Sequence, residues 1–162
     1  MKIIHAVHYD NFETFHSFMK DFKTCEDVFK HYADLLCEKI ISDKDFFKSF
    51  DFFVYIPSLA QDRVNYSLKL AEYISKKLNI PLRYDVLEKI KPTKELKTLP
   101  RINRKEEIEN AFHANLSGGE NICVIDDVYA SGATLNEVSK FLKSSAKDVS
   151  VCFAVAALFT TV

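Results

Sequence analysis

Two adjacent acids, Asp126 and Asp127, are the residues of this sequence whose types and spacing best suit ligand chemistry. They follow an apolar run and precede a stretch of small residues. An ionised carboxylate only accepts hydrogen bonds, whereas each hydroxyl of a vicinal diol can donate one. The pair therefore suits a sugar diol. Direct binding of Mg²⁺ and simple turn chemistry are the two other interpretations that the acids alone leave open.

The stretch after the acids is suited to an anion. Its small residues let several backbone N–H groups converge on one phosphate, and the next helix directs the positive end of its dipole at the same place. Thr134, with Glu137 three residues later, matches a capping box and predicts that this helix begins at Thr134. The residues predicted to contact the phosphate are Ala130, Ser131, Gly132, Ala133 and Thr134. Together with the two acids, they predict a site for a ribose 5-phosphate unit.

Strand patterns and helix patterns alternate along the chain. Compact apolar runs predict strands at 3–8, 51–57, 80–87, 120–127 and 149–158. Apolar residues at helical spacing predict helices at 12–22, 28–40, 70–78 and 134–143. This alternation predicts an α/β fold with a central, mostly parallel sheet covered by helices on both faces. Ligands bind such sheets at the carboxyl ends of the strands, which is where Asp126 and Asp127 fall.

Length and composition indicate one cytoplasmic domain. The 162 residues suit a single domain, 1–162, and a net charge of −1 gives no general field that would attract nucleic acid or acidic lipid. Four scattered cysteines without a CxxC pair indicate reduced thiols rather than a zinc site. The N-terminus has no signal-peptide pattern, and the longest apolar run, 149–159, is too short to span a membrane. Neither GxxxxGK nor GxGxxG occurs, so a P-loop or dinucleotide site is not supported.

Residues 89–105 differ from the rest of the chain in charge. They hold seven Lys or Arg residues against one acid, together with two prolines and little periodicity. One interpretation is a solvated loop. The other is a mobile cationic flap that covers an anionic ligand. Charge alone leaves both open.

Residues 124–134, VIDDVYASGAT, resemble the phosphoribosyl pyrophosphate (PRPP) motif of type I phosphoribosyltransferases. Nearly the whole chain resembles one branch of these proteins, the ComF-type competence proteins. Weaker matches follow in the family's order at Tyr9, Met19-Lys20, Tyr55-Ile56-Pro57, Asn65, Leu70-Ala71, Lys91-Pro92-Thr93, Leu99, Arg104 and Ala111-Phe112. The resemblance implies the type I phosphoribosyltransferase fold, with residues 89–105 as its mobile flap.

The sequence departs from this family at several positions. The family usually begins with a four-cysteine zinc ribbon, which this sequence does not contain. Asp62-Arg63 stands where the family has Arg-Gly, Leu96 replaces a glutamine of the flap, and Glu107 replaces the asparagine after the flap arginine. These departures concern the residues that handle pyrophosphate and leave the ribose 5-phosphate motif intact.

The resemblance implies transfer of a ribosyl group from PRPP, with Mg²⁺ held by PRPP rather than by direct protein ligands. Asp126 and Asp127 would bind the ribose diol, and residues 130–134 the 5′-phosphate. The residues implied for pyrophosphate are Ser58, Leu59, Arg63 and Arg104, and those implied in catalysis are Asp126, Asp127 and Arg104. Some purine salvage enzymes of this fold carry an acidic residue as general base at the position that Ala130 occupies in this sequence. The alanine side chain cannot accept or donate a proton.

Three functions remain open from the sequence. The first is a ComF-type PRPP-binding protein of DNA uptake, with single-stranded DNA, other competence proteins and a second copy of the chain as candidate partners. The second is a nucleobase salvage phosphoribosyltransferase, and the third is a non-catalytic module that binds PRPP or a nucleotide. Tyr129 is interpreted either as a ring that stacks on a base or as ordinary packing.

Overall fold

A computed structural model describes residues 2–48, 50–59, 63–92 and 101–160, and of Arg101, Ile102, Arg104 and Lys105 only the backbone. In chain order the elements are β1 (Lys2–Tyr9), α1 (Phe12–Thr24), α2 (Glu26–Ser42), α3 (Lys44–Phe47), β2 (Phe52–Tyr55), α4 (Tyr66–Leu78), β3 (Leu87–Lys89), α5 (Arg101–Ile108), β4 (Phe112–Ala114), β5 (Asn121–Tyr129), α6 (Ala133–Ser145) and β6 (Ser150–Phe159). The predicted alternation of strands and helices is confirmed.

The main sheet has four strands in the order β1-β6-β5-β2, and every neighbouring pair is parallel. Its central strands β5 and β6 are almost continuously apolar because helices cover both faces of the sheet. A separate antiparallel pair, β3 with β4, packs beside it. All four strands of the main sheet run in one direction, so their carboxyl ends meet at one edge.

Two hydrophobic cores lie on the two faces of the main sheet. The first packs α1, α2, α3 and α4 on one face, and it includes the buried side chains of Phe18, Phe22 and Phe29. The second packs α6 and the β3–β4 pair on the other face, with Leu135 and Val138 buried against the sheet. The sheet is therefore the middle of three layers, as predicted.

The start of α4 is fixed to the sheet by Asn65. The Asn65 Oδ1 accepts a hydrogen bond from the N–H of Leu68 at 3.1 Å and so caps the helix. The Nδ2 of the same side chain donates to the carbonyl oxygen of Ile56 at 3.0 Å, just beyond the end of β2. This double contact holds Tyr66 and Ser67 near the carboxyl edge of the sheet.

Two predictions about local structure between residues 80 and 105 need correction. The strand predicted at 80–87 is only a single bridge, Leu82 to Phe53, and β3 begins at Leu87. Pro81 has no N–H to donate, so only its carbonyl, which accepts from the Phe53 N–H at 2.8 Å, and the N–H of Arg83 pair with β2. The segment 89–105 also contains more regular structure than predicted. Its first residue ends β3, and residues 101–105 belong to α5. Residues 93–100 of this segment lie outside the described residues.

All four cysteines are unpaired, as predicted; Cys25 is exposed and the other three are buried. Burial raises the pKa of the Cys37 thiol to about 11. This thiol is therefore protonated at neutral pH and packs as an apolar side chain. Across the described ranges of the chain, none of the helices is both long and apolar enough to cross a membrane.

Candidate functional site

Asp126 and Asp127 lie near the carboxyl end of β5, which runs two residues further than predicted and ends at Tyr129. Strand β5 lies between β6 and β2, with Asp126 opposite Val155 of β6. Tyr55 of β2 is opposite Ile125, so the chain leaves β2 beside Asp126. The two acids therefore occupy the centre of the edge where ligands bind parallel sheets, as predicted.

Asp126 is buried, with 7% of its surface exposed. Its Oδ1 accepts hydrogen bonds from the Ser67 hydroxyl at 2.6 Å and from the Asp127 N–H at 2.9 Å. Burial raises the pKa of the Asp126 carboxyl well above its ordinary value, and the neighbouring charge of Asp127 raises it further. The hydrogen bond from Ser67 opposes this effect only in part. Asp126 therefore keeps its proton to a higher pH than an ordinary aspartic acid does.

Asp127 lies closer to solvent than Asp126, with 20% of its side chain exposed. Its Oδ2 lies 2.8 Å from the Nζ of Lys23 on α1. The two adjacent acids therefore differ in environment: one is buried against α4, and the other is a partly exposed carboxylate paired with a cation. Of the two, Asp127 is the one that a ligand can reach.

The loop after β5 leads directly into α6. Gly132 is the N-cap residue with φ +72° and no side-chain cap, and its carbonyl oxygen accepts from the Asn136 N–H at 2.9 Å. The Ser131 hydroxyl accepts from the Ala133 N–H at 3.4 Å, which is a weak contact. The first N–H groups of a helix have no partner within it, so this turn, a few residues after Asp127, is a source of hydrogen-bond donors.

The predicted capping box at Thr134 is wrong. Helix α6 begins at Ala133, because the left-handed backbone of Gly132 turns the chain into the helix one residue earlier. The Glu137 carboxylate does not reach back to the helix start; it accepts from the Asn110 N–H at 2.9 Å and lies 3.6 Å from the Nζ of Lys140. The helix start therefore stays free of a carboxylate, which is the better arrangement for an anion.

Tyr129 packs against the loop. A Cβ added at Gly132 would lie 2.7 Å from the Tyr129 hydroxyl oxygen and 3.0 Å from its Cζ. The ring is partly buried against the core on the α6 face. Of the two interpretations of Tyr129, ordinary packing is therefore the one that matches its position. Because the ring lies so close to Gly132, only glycine fits at position 132.

The residues predicted for pyrophosphate are only partly grouped. Ser58 and Leu59 follow β2 and line a pocket of about 280 Å³ whose other walls are Tyr55, Pro57, Tyr84, Asp85, Leu87, Glu88 and Lys89. Neither acid and none of residues 130–134 lines this pocket. Arg63 is exposed. The backbone of Arg104 lies in α5, and its side chain is outside the described part of the chain.

Two residues of the site, Ser67 and Lys23, were missed by sequence reasoning. Ser67 lies in the buried stripe of α4 with Leu70 and Ala71, and a polar residue within an apolar stripe was a usable signal. Lys23 lies in the last turn of the phenylalanine-rich helix α1, and nothing in its local spacing marks it as a site residue. A larger groove of about 610 Å³ between α1 and α2 contains none of the predicted site residues; it is lined by Tyr9, Thr14, Ser17, Phe18, Asp21, Asp27, Val28, His31 and Tyr32.

Replacing Asp126 with asparagine is expected to flatten the dependence of stability on pH. An unfolded chain releases this proton near pH 4, whereas the folded protein keeps it to a higher pH. Between those two pH values the folded state holds one more proton, so the free energy of unfolding falls as pH rises, by up to roughly 1 kcal/mol per pH unit. Asparagine has no such proton and keeps the Oδ1 acceptor for Ser67. Urea unfolding at pH 5, 6, 7 and 8 measures the slopes.

The matched control is Asp148→Asn, because Asp148 is an exposed acid in the turn after α6. This control should keep the slope of the unchanged protein. An Asp126→Asn variant with that same slope would show that Asp126 is not the group that holds the extra proton.

Comparison with known proteins adds family information to this geometry. No protein-family model matches the chain. In sequence, the chain is 32% identical to competence protein F of Haemophilus influenzae over 78 residues, which cover 46% of this chain and 34% of that protein. The chain thus spans about a third of the length of the curated relative that it matches.

Two solved structures support the fold. Adenine phosphoribosyltransferase of Leishmania tarentolae has a TM-score of 0.52 and 12% identity, covering 88% of this chain and 74% of that one. Adenine phosphoribosyltransferase of Leishmania donovani also has a TM-score of 0.52, with 14% identity over 88% and 68% of the two chains. At sequence identities this low, the similarity shows only that the fold is shared. The predicted likeness to ComF-type competence proteins is thus supported by a partial sequence match, and the chain has the fold of the type I phosphoribosyltransferases.

Proposed function

We propose that this chain binds the ribose 5-phosphate part of PRPP at the junction of β5 and α6, as a phosphoribosyltransferase-like protein of the ComF type. One observation carries the proposal: the partly exposed carboxylate of Asp127 lies just before a helix start that Gly132 leaves without a side-chain cap. An acceptor of hydroxyl protons and a set of N–H donors for an anion therefore stand a few residues apart.

The two acids have different roles in this proposal. Asp127 accepts hydrogen bonds from the ribose hydroxyls, while Asp126 lies behind it and fixes the strand end through Ser67. The 5′-phosphate binds the backbone of residues 130–134 and the hydroxyls of Ser131 and Thr134. Small side chains in this loop keep the amides accessible to the phosphate.

Pyrophosphate release would leave an oxocarbenium-like sugar and a highly charged leaving group. Cations and oriented N–H groups then contribute more than a protein nucleophile. Backbone groups of Ser58 and Leu59 are proposed for the pyrophosphate, since the segment after β2 begins beside Asp126. The proposed cations are Arg63 and Arg104.

The residues present fit a Mg²⁺ ion that arrives with the ligand. Within the described ranges, no group of three or more His, Cys, Asp or Glu side chains is placed to hold a metal ion. Mg²⁺ is commonly held largely by the phosphates of a substrate and by water, so a site without a group of protein ligands suits an ion that PRPP itself holds. Such an ion would neutralise charge on the departing pyrophosphate.

A link to DNA uptake is proposed from the name of the sequence relative, competence protein F. The cationic residues within 89–105 are the proposed contact for single-stranded DNA, and other competence proteins are the proposed partners. A cytoplasmic location is proposed with it and is supported by the unpaired cysteines. Binding to the DNA backbone should weaken steeply as salt is raised, because it releases counterions. Binding that is absent or unaffected by salt would remove the DNA part of the proposal.

A thermal-shift titration in the presence of Mg²⁺ tests the ligand. PRPP and ribose 5-phosphate are expected to raise the melting temperature by about 5 °C or more at a concentration 100 times Kd. Free nucleobases, which lack both the diol and the phosphate, serve as the control and should have no effect. A protein that neither sugar phosphate stabilises does not have the proposed function.

Turnover separates the proposed protein from a salvage enzyme. Pyrophosphate release from PRPP is measured with a panel of nucleobases. Release with one base indicates a salvage phosphoribosyltransferase, the fold relatives being adenine phosphoribosyltransferases. Stabilisation by PRPP without release in the whole panel indicates a binding protein or a different acceptor.

A further inference from the structure

Lys23 comes from the last turn of α1, far along the chain from the motif, yet it contacts the site directly. Its Nζ lies 2.8 Å from the Oδ2 of Asp127. Both side chains reach solvent, with 40% of Lys23 and 20% of Asp127 exposed. A ligand that approaches Asp127 therefore meets this ammonium group.

The start of α4 holds Lys23 in place. The Tyr66 hydroxyl donates a hydrogen bond to the carbonyl oxygen of Lys23. The Tyr66 ring lies under the ammonium, with 5.2 Å from Nζ to the ring centroid, which is a favourable cation–π distance. The next residue, Ser67, donates to Asp126. Two consecutive residues of α4 thus support the acid pair, one directly and one through Lys23.

Charge makes this lysine important for an anionic ligand. A phosphorylated sugar is repelled by a bare carboxylate, and a cation beside that carboxylate offsets the repulsion. An ammonium has three donors, and a carboxylate has about four lone-pair sites. The ion pair therefore leaves acceptor sites on Asp127 for hydroxyls and donors on Lys23 for anionic oxygens.

We propose that Lys23 is a ligand-binding residue of this site, which stays paired with Asp127 and donates a further hydrogen bond to an anionic oxygen of a phosphorylated ribose. The proposal rests on the function proposed above and adds a residue from outside the PRPP-like motif. It also gives a role to the contacts between Lys23 at the end of α1 and Tyr66 at the start of α4.

Calorimetric titration with ribose 5-phosphate and PRPP tests the proposal. Lys23→Met is expected to weaken binding about tenfold, because a charge-assisted hydrogen bond is lost. Lys23→Arg should restore most of the affinity. Lys143→Met is the matched control, since Lys143 is an exposed lysine in the last turn of α6, away from the site. The affinity of Lys23→Met should also depend less on salt, because one cationic contact is gone.

The outcomes separate this proposal from the function on which it rests. An unchanged affinity in Lys23→Met, with wild-type binding intact, overturns the role of Lys23 and leaves the proposed function standing. A wild-type protein that binds neither ligand overturns both. Ligand-free melting temperatures check that each variant folds. If Lys23→Met has a lower melting temperature than the wild type, the affinities of Lys23→Gln and Lys23→Arg are compared instead. Equal affinities of these two variants overturn the proposal.

Discussion

Replacing Asp127 with asparagine is expected to weaken binding of PRPP and ribose 5-phosphate by at least about 100-fold, because two hydrogen bonds from sugar hydroxyls lose a charged acceptor. The amide would also present donors to the hydroxyls and leave the Lys23 ammonium without its partner. The free energy of unfolding should change by only about 0–1 kcal/mol, the range for partly exposed ion pairs. Calorimetry measures the affinity, and urea unfolding measures the stability.

Asp148→Asn is the control for this experiment. It makes the same chemical change at the other end of α6, on an exposed residue with φ +59°, a conformation that asparagine tolerates well. Its affinity for ribose 5-phosphate should equal that of the unchanged protein. An Asp127→Asn variant that binds as tightly as this control would mean that the sugar hydroxyls do not contact Asp127.

Replacing Gly132 with alanine is expected to lower the free energy of unfolding by about 2–4 kcal/mol and to abolish binding of the phosphate. The backbone at Gly132 has φ +72°, which alone costs about 1–2 kcal/mol for a residue with a Cβ. The added methyl would also lie 2.7 Å from the Tyr129 hydroxyl oxygen, so the ring or the loop must move. Movement of the loop displaces the amides that the phosphate needs. Urea unfolding and calorimetry measure the two effects.

Gly119→Ala separates backbone strain from steric contact. Gly119 also has a positive φ, +78°, but an added Cβ there has no atom within 4 Å. This variant should lose only the strain energy, about 1–2 kcal/mol, and should bind ribose 5-phosphate normally. Equal losses of stability in the two variants would show that contact with Tyr129 does not restrict position 132.

Most of the fold was predictable because its strongest signals are local. The apolar runs of β5 and β6 and the phenylalanine spacing of α1 each identify an element by themselves. The failed strand at 80–87 contains apolar residues at both ends, but Pro81 and exposed polar residues between them break the pairing with β2. Local periodicity does not show how much of a run finds a partner strand.

The site was predictable in its position and not in its electrostatics. Adjacent acids before a glycine-containing loop mark the end of a strand, and the structure has them there. Their different environments follow from Ser67 and Lys23, which reach the acids only after α4 and α1 pack against the sheet. The capping-box prediction was wrong for a similar reason, since the N–H of Asn110, in the turn after α5, donates a hydrogen bond to the Glu137 carboxylate. Contacts between segments that are far apart in the chain produce no recognisable residue spacing in the sequence.

The amide resonances of the helix start test the central claim most directly. In a ¹H–¹⁵N NMR titration with ribose 5-phosphate, the largest shift changes should fall on the backbone amides of Ser131 to Leu135, with smaller changes at Asp127. This result would mean that a sugar phosphate rests on the first turn of α6 with its hydroxyls at the partly exposed acid. Unchanged resonances there, or changes confined to the groove between α1 and α2, would contradict the account.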